Sequence, residues 1–228
     1  MSSIITVYSI ILTMIVYWFS LKIAKRLPSP FTSPVFLSTF IIIIILILSH
    51  VTYLNYTPAK NILTYLLGPA TVSLAVPLYK NRDLVYKNLF PVFVGMITGT
   101  LMTITSAIVL GKIWSFSNQI LSSLSIKSIT IPVASEVSKI IGANEQLVAA
   151  FVMITGMFGA MFGPKILDIF KISHPLSRGL SLGTISHGIG TAEAVREGDV
   201  QGAISGVAMG VSAIFTSLII PYLLPWLI

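Results

Sequence analysis

The chain has 228 residues, of which 55% are hydrophobic and 9% are charged. A soluble domain carries about 25% charged residues, so this chain lacks the polar side chains needed to cover a surface in water. The formal net charge of +7 comes from basic residues that lie between apolar runs. This pattern orients a chain in a bilayer and does not indicate nucleic-acid binding. The composition therefore excludes an ordinary soluble enzyme and predicts an integral membrane protein in contact with the lipid bilayer.

Apolar runs follow one another along the whole sequence. A helix needs about 20 apolar residues to cross the hydrocarbon core of a membrane. We expect an all-α, polytopic fold of about eight to nine membrane segments, forming a single domain over residues 1–228. The expected crossings are 4–21, 33–54, 61–79, 88–111, 113–126, 128–141, 146–164, 179–192 and 200–220.

Basic residues flank these expected crossings unevenly. With the N-terminus outside, ten lysine and arginine residues fall on the inner side and four on the outer side. This distribution agrees with the positive-inside rule and predicts that the C-terminus lies inside. Lys127 counts among the inner residues, in the connection between the crossings 113–126 and 128–141.

Three of the expected segments contain residues that interrupt a helix. Proline removes a backbone donor and kinks a helix, and glycine weakens it. Irregular backbone at membrane depth persists only where protein or a watery cavity satisfies its polar groups. Kinked packing helices are the alternative interpretation. The expected breaks are Gly68, Pro69 and Pro77 in segment 61–79, Pro132 in segment 128–141, and Gly188 and Gly190 in segment 179–192.

A faint internal repeat links two of these breaks. The pattern S-x-x-x-P occurs at 73–77 and again at 128–132, and Met-Ile-Thr-Gly occurs at 96–99 and again at 153–156. Repeat units of approximately 33–111 and 113–164, with three crossings each, would have opposite orientations. Such an inverted repeat brings two broken helices together near the midplane, where secondary transporters bind their substrates.

Polar residues at the breaks predict a site for a small organic anion. A broken helix presents unpaired N–H groups and the positive end of its dipole, and both suit a carboxylate. Ionisable groups inside a membrane are costly and are functional candidates by default. We therefore expect proton coupling at Glu136 and His187, with a hydrogen-bonded packing histidine as the alternative for His187. The expected substrate-binding residues are Thr71, Ser73, Ser128, Thr130, His187 and Thr191.

The sequence lacks the motifs of thiol, metal and nucleotide-binding sites. There is no cysteine, the three histidines lack metal-ligand spacing, and no phosphate-binding loop or dinucleotide fingerprint occurs. We therefore expect neither an enzyme nor a cofactor nor a metal site.

Three stretches resemble the LrgB/CidB family of bacterial inner-membrane proteins. With the apolar C-terminal helix, the resemblance covers residues 60–228. It implies a multi-pass protein of the bacterial plasma membrane, with a small holin-like partner of the LrgA/CidA type or as a homo-oligomer. The stretches are LLGPATVSLAVPLYKN at 66–81, SITIPVASEVSKIIG at 128–142 and HPLSRGLSLGTISHGIGTAEA at 174–194.

The resemblance implies two functions. One is modulation of murein hydrolase export or activity together with the partner, and hence of autolysis and programmed cell death. The other is transport of small carboxylates, since similar domains occur in a plastid glycolate/glycerate translocator and bacterial pairs are linked to pyruvate movement. The broken segments favour the carrier, because a holin-type pore needs only simple apolar spans. A scaffold for the partner that transports nothing is a third alternative.

Overall fold

A computed structural model describes residues 2–27, 29–66, 69, 72–73 and 75–228. Every regular element in these residues is a helix. The chain divides into two compact units, residues 1–73 and 74–228. Of the expected helix breaks and substrate-binding residues, Gly68 and Thr71 lie outside the described residues, and the side chain of Pro77 is not described.

The N-terminal unit is a small helical assembly built around its first helix. That helix packs against both of the α-helices that follow it. One polar contact inside the unit joins the Thr13 hydroxyl to the Tyr56 hydroxyl at 3.0 Å. The helices are α1 (Ser2–Arg26), a 3₁₀ turn (Pro30–Thr32), α2 (Pro34–Leu48) and α3 (Tyr53–Tyr65).

The C-terminal unit contains the remaining helices, and its core lies between three long helices and one short helix. The buried residues of that core include Ile104 and Ile108 from α6, Val137 from α8, Val148 and Val152 from α9, and Ile220 from α11. The helices are α4 (Ala75–Lys80), α5 (Arg82–Lys87), α6 (Leu89–Ile113), α7 (Asn118–Ser125), α8 (Ile131–Ile141), α9 (Glu145–Ile169), α10 (Pro175–Glu197) and α11 (Asp199–Leu227).

Four helices in the described part of the chain are long and apolar enough to cross a membrane. They are Ile4–Arg26 within α1, α6, α9 and α11. The expected crossings at 113–126 and 128–141 coincide instead with α7 and α8, of 8 and 11 residues. At 1.5 Å per residue these helices are about 12 and 17 Å long, whereas the hydrocarbon core is about 30 Å thick. Neither helix crosses a bilayer alone.

The expected crossing at 179–192 lies within α10, which folds back on itself. His187 has φ 42° and ψ −135°, which interrupts the helix. Arg178 Nη2 lies 2.7 Å from Glu197 Oε1, although 19 residues of continuous helix would separate them by about 28 Å. Helix α10 is therefore a hairpin with a first arm (175–186), a tip at His187 and a second arm (188–197). We call it the α10 hairpin.

Helices α7 and α8 form a second chain reversal, which we call the α7–α8 pair. Leu121 of α7 packs on Gly111 near the end of α6, and Lys127 contacts Thr103 near the middle of α6. Helix α7 thus runs back along α6. Helix α8 ends at Gly142, whose φ of 66° is left-handed, and Asn144 caps α9 by accepting from Leu147 N–H. This tight turn sends α9 back along α8.

The first arm of the α10 hairpin packs on α11 through small residues. A Cβ added at Gly183 would come 2.3 Å from the carbonyl oxygen of Ser205, and one at Gly179 would come 2.4 Å from that of Gln201. In lipid, apolar surface gains little by moving from lipid to protein, so helices associate through close packing of small residues. The glycines therefore set the distance between α10 and α11.

We expect Gly183→Ala to lower the free energy of unfolding by about 1–3 kcal/mol, because its methyl group would overlap backbone atoms of α11. Gly210→Ala, in α11, is the matched control, since an added Cβ there has no described atom within 4 Å. Unfolding in detergent, followed by the fluorescence of the three tryptophans, measures both variants. Equal midpoints would contradict the close packing of α10 on α11.

Candidate functional site

The connection between α7 and α8 carries a half-buried lysine that contacts α6. Lys127 Nζ donates to Thr103 Oγ1 at 2.7 Å and to Ser128 Oγ at 3.2 Å. The two hydroxyl oxygens are themselves 3.3 Å apart. Thr103 lies near the middle of the 25-residue helix α6. The amine is therefore held halfway along a helix of membrane-spanning length.

This lysine has no acidic partner among the residues that the structure describes. Ile126 and Ile129 on either side of it are buried, at 0% and 2% exposure, and Lys127 is itself half-buried. The salt bridges in the described part of the chain join other basic residues to carboxylates, and none involves Lys127. When protonated, an amine held by hydroxyls and by no carboxylate attracts an anion.

The N-terminus of α8 begins beside this lysine. Thr130 is the N-cap, its side chain makes no capping hydrogen bond, and Pro132 lies in the first turn of α8. The first N–H groups of a helix lack partners within the helix, and the dipole places positive charge there. The end of α8 makes this tip suitable for an anion, and the amine of Lys127 adds a positive charge there when it is protonated.

The tip of the α10 hairpin is built around the buried imidazole of His187. His187 is 4% exposed, and its Nε2 lies 3.0 Å from the carbonyl oxygen of Val152. A carbonyl only accepts, so Nε2 carries the hydrogen and donates it. The ring also packs against Gly156, where an added Cβ would come 2.7 Å from a ring carbon. Both α9 contacts lie near the middle of α9, so this tip too lies halfway along a membrane-length helix.

Thr191 ties the second arm of the hairpin to its tip and to α11. Its hydroxyl donates to the carbonyl oxygen of His187 at 2.9 Å and accepts from Ser205 Oγ at 2.9 Å. Gly190 allows the two arms to approach, because a Cβ there would come 2.4 Å from the carbonyl oxygen of Leu182. Gly188 lies next to Met209 of α11. Thr191 and the two glycines thus shape the hairpin.

The two tips reach the same level of α6 from opposite ends. Along the first arm, Leu180 packs on Gly95 and Thr184 packs on Gly99. His187 follows Thr184 by almost one helical turn and so reaches the level of Thr103, to which Lys127 is bound. The buried Thr184 hydroxyl, near the level of Gly99, has no hydrogen-bond partner in the described part of the chain.

One expected site residue of the C-terminal unit lies away from both tips. Glu136 is on the exposed surface of α8, where it accepts a 2.7 Å hydrogen bond from Lys139 Nζ. Ser73 and Pro69 are exposed and belong to the N-terminal unit. The structure therefore brings Ser128, Thr130 and His187 to one level, with Thr191 one turn from His187, and it does not bring Glu136 to His187.

Sequence reasoning missed Lys127 as a site residue by assigning it to a loop on the inner side of the membrane. The assumption that 113–126 and 128–141 each cross the bilayer caused this error, since it placed the residue between them at a surface. One signal was present: each of these two stretches has 14 residues, which is too few for a regular crossing. A pair of short segments can instead enter and return on one side, with the connecting residue deep inside.

Arg178 closes the base of the α10 hairpin. Its guanidinium donates to both carboxylate oxygens of Glu197 at 2.7 Å, to Asp168 Oδ1 at 2.6 Å and to the Ile172 carbonyl at 3.0 Å. The hydrogen bonds to Glu197 and Asp168 raise the pKa of Arg178 above its ordinary value. The planar fork of the guanidinium thus joins both arms of the hairpin to the end of α9.

We expect Arg178→Gln to lower the free energy of unfolding by about 3 kcal/mol, because it leaves a partly buried carboxylate without its partner. Arg178 and Glu197 are only 12% and 15% exposed in their side chains. Lys139→Gln, in α8, is the control, since Lys139 and its partner Glu136 are 58% and 72% exposed in their side chains, and it should change stability by less than about 1 kcal/mol. Tryptophan fluorescence during thermal unfolding in detergent compares the two. A control with an unfolding temperature as low as that of Arg178→Gln would argue against the role of Arg178 in closing the base of the α10 hairpin.

Comparison with known proteins assigns the chain to a family. The model of the LrgB-like family matches residues 13–226. The uncharacterized protein YxaC of Bacillus subtilis is 35% identical over 86% of this chain and 85% of its own length. The holin-like protein CidB of Staphylococcus epidermidis is 31% identical over 83% and 82% of the two chains, and that of Staphylococcus aureus is 29% identical over 82% and 81%.

No solved structure matches the chain. The family match spans almost the whole sequence, including both chain reversals, α6 and α9 in full and α11 up to residue 226. The protein is therefore a helical membrane protein that belongs to the LrgB-like family.

Proposed function

We propose that this protein is a secondary transporter of small monocarboxylates, of the size of pyruvate or glycolate, in the bacterial plasma membrane. The observation that carries the proposal is the amine of Lys127, held by two hydroxyls halfway along α6 without a carboxylate partner in the described residues. An ionisable residue at this depth is costly and marks a substrate or ion pathway. The proposal includes no catalytic residue and no cofactor, because transport leaves the acid chemically unchanged.

The arrangement of the two tips supports a carrier. In secondary transporters, the substrate site lies near the midplane, where discontinuous helices from two repeats meet. Here the α7–α8 pair and the α10 hairpin approach one level of α6 from opposite ends. Ser128 and Thr130 would bind the carboxylate with Lys127, and His187 would close the site from the other tip. Small movements of either tip would then open the site to one side at a time.

We infer an inverted repeat with units of 89–141 and 145–197. Each unit is a 25-residue helix followed by a chain reversal. The repeated Met-Ile-Thr-Gly at 96–99 and 153–156 falls in the corresponding part of α6 and of α9. This division differs from the units 33–111 and 113–164 expected from the sequence, because the reversals replace full crossings.

The same arrangement predicts an orientation for the C-terminal unit. Helix α9 runs opposite to α6, and α11 runs parallel to it, so the basic residues divide between two ends. By the positive-inside rule the end richer in lysine and arginine is cytoplasmic, which puts the C-terminus outside, opposite to the expectation from the sequence. The richer end carries Lys80, Arg82, Lys87, Lys165, Lys171, Arg178 and Arg196, and the other end carries Lys112 and Lys139.

Single cysteines test this orientation directly, because the natural chain has none. Lys112→Cys and Lys165→Cys replace exposed residues near the C-terminal ends of α6 and α9. Because the two helices run in opposite directions, these ends should face opposite sides of the membrane. In intact cells, a membrane-impermeant maleimide should label Lys112→Cys, whereas Lys165→Cys should react only after permeabilisation. The reverse pattern would invert the orientation, and labelling of both from outside would contradict the crossing of α9.

Uptake into proteoliposomes tests the proposed function. Labelled pyruvate or glycolate should enter vesicles that contain the protein and its holin-like partner. Lys127→Gln should reduce uptake about 10- to 100-fold, because a hydrogen bond to a charged group contributes roughly 1.5–3 kcal/mol. Lys112→Gln, on the exposed end of α6, is the control and should transport as the natural protein does. Absence of uptake by the natural protein, with and without the partner, would contradict the carrier.

The second candidate is a holin-like or antiholin-like modulator of murein hydrolase export or activity that transports no solute of its own. The names of the staphylococcal relatives, holin-like protein CidB, favour it. Both functions involve a partner of the LrgA/CidA type or a homo-oligomer. The test compares the autolysis rate of a deletion strain that carries Lys127→Gln with that of a deletion strain that carries the natural protein. Under the second function, the two rates should be equal. Under the carrier, the same variant should behave like the deletion.

A further inference from the structure

We propose that the amine of Lys127 is the proton carrier of this transporter: it is neutral in the empty site and takes up one proton together with one carboxylate. The inference rests on the proposed function and names the coupling ion of the same site. The solute would move as an anion and a proton, without net charge. Sequence reasoning expected this role at Glu136 and His187, and the geometry points to Lys127.

The partners of Lys127 suit both protonation states of its amine. Thr103 and Ser128 each offer a hydroxyl, which accepts a hydrogen bond from an ammonium group and donates one to a neutral amine. A carboxylate partner would instead hold the lysine permanently charged. The two hydroxyls therefore give the nitrogen a hydrogen-bond partner whether the amine is protonated or neutral.

The charged groups on the packed elements lie away from the tip. Helices α6, α9 and α11 pack around the α7–α8 pair. Their charged residues, and those of α8, lie near helix ends or on the exposed surface, and none of those described forms an ion pair with Lys127. They are Lys112 on α6, Glu136 and Lys139 on α8, Glu145, Lys165 and Asp168 on α9, and Asp199 on α11.

Glu136 and His187, the residues expected from the sequence to carry the proton, have other hydrogen-bond partners. His187 donates through Nε2 to the carbonyl oxygen of Val152, and its ring is enclosed by α9. Glu136 is exposed and paired with Lys139 on one face of α8. The solute's own negative charge is thus the counter-charge that Lys127 lacks.

Binding of the acid and binding of the proton are then linked. A lone charge at membrane depth is costly, and an opposite charge in contact with it removes much of that cost. One carboxylate and one proton enter the site from the same side and form an ammonium–carboxylate pair. Both leave on the other side, and the amine returns neutral. By reciprocity, the carboxylate promotes protonation as much as protonation promotes carboxylate binding.

Arginine at position 127 distinguishes the two parts of the transport cycle, which are the movement of the loaded site and the return of the empty, neutral site. Its guanidinium stays protonated at any working pH. Lys127→Arg should therefore keep the exchange of external for internal pyruvate to within about 5-fold, since exchange requires no deprotonation. Net uptake driven by an inward proton gradient should fall at least 10-fold. Lys127→Gln should lose both activities, and Lys112→Arg should lose neither.

The measurements use proteoliposomes with a pH dye inside and the membrane potential clamped by potassium and valinomycin. The natural protein should acidify the interior by one proton per pyruvate, at a rate that the imposed potential does not change. Pyruvate uptake that responds to the potential without acidification would overturn the proton inference and leave the carrier standing. Proton-coupled net uptake by Lys127→Arg would overturn it too. Absence of both uptake and exchange in the natural protein would overturn the carrier and this inference together.

A second measurement does not depend on any variant. Pyruvate added to the natural protein in weakly buffered detergent solution near pH 8 should withdraw about one proton per bound molecule, observed as a rise in pH. Binding without a pH change would mean that Lys127 is already protonated in the empty site, and would overturn the inference.

Discussion

In a hydrocarbon layer the chain has no water with which to satisfy a backbone or side-chain polar group. This constraint explains why the four membrane-length helices of the described chain are apolar along their length, and why the two chain reversals of the C-terminal unit are closely hydrogen bonded. At the tip of the α10 hairpin, Thr191 satisfies the carbonyl of His187, and the carbonyl of Val152 accepts from the imidazole. At the tip of the α7–α8 pair, Thr103 and Ser128 hold the amine of Lys127.

Much of the remaining structure supports these two tips. Glycines on α10 allow backbone contact with α11, glycines on α9 make room for side chains of α10, and a left-handed Gly142 turns the chain from α8 to α9. Arg178 joins both arms of the α10 hairpin to the end of α9 through two carboxylates. Packing of this kind replaces the hydrophobic effect, which does little between helices already surrounded by lipid. These contacts hold the two tips in position.

The chemistry of the two tips differs. The α7–α8 tip combines the amine of Lys127, hydroxyls and the N-terminus of a helix, groups that favour an anion when the amine is protonated. The α10 tip holds an imidazole locked to a carbonyl, which suits a structural or closing role. A carrier with this arrangement and a holin-like effect on lysis are compatible, since movement of a metabolic acid can itself alter the state of the cell. The family assignment leaves room for both.

The sequence by itself determined that this is a helical membrane protein. The low charge and the long apolar runs predict α1, α6, α9 and α11 closely, because partitioning of about 20 apolar residues into lipid depends on composition alone. Pro132 lies in the first turn of α8, and the glycine-rich stretch around His187 contains the interruption of α10. Local residue types carry this information.

Only the tertiary structure decided the direction of the chain after each interruption. Hydropathy cannot distinguish two short crossings from a segment that enters and returns, since both bury the same side chains. Contacts distant in sequence settle the question: Lys127 with Thr103, 24 residues apart, and Arg178 with Glu197, 19 residues apart. The depth of Lys127, and with it the candidate site, follows from those contacts because the position of a side chain across a membrane is a property of the whole packed bundle.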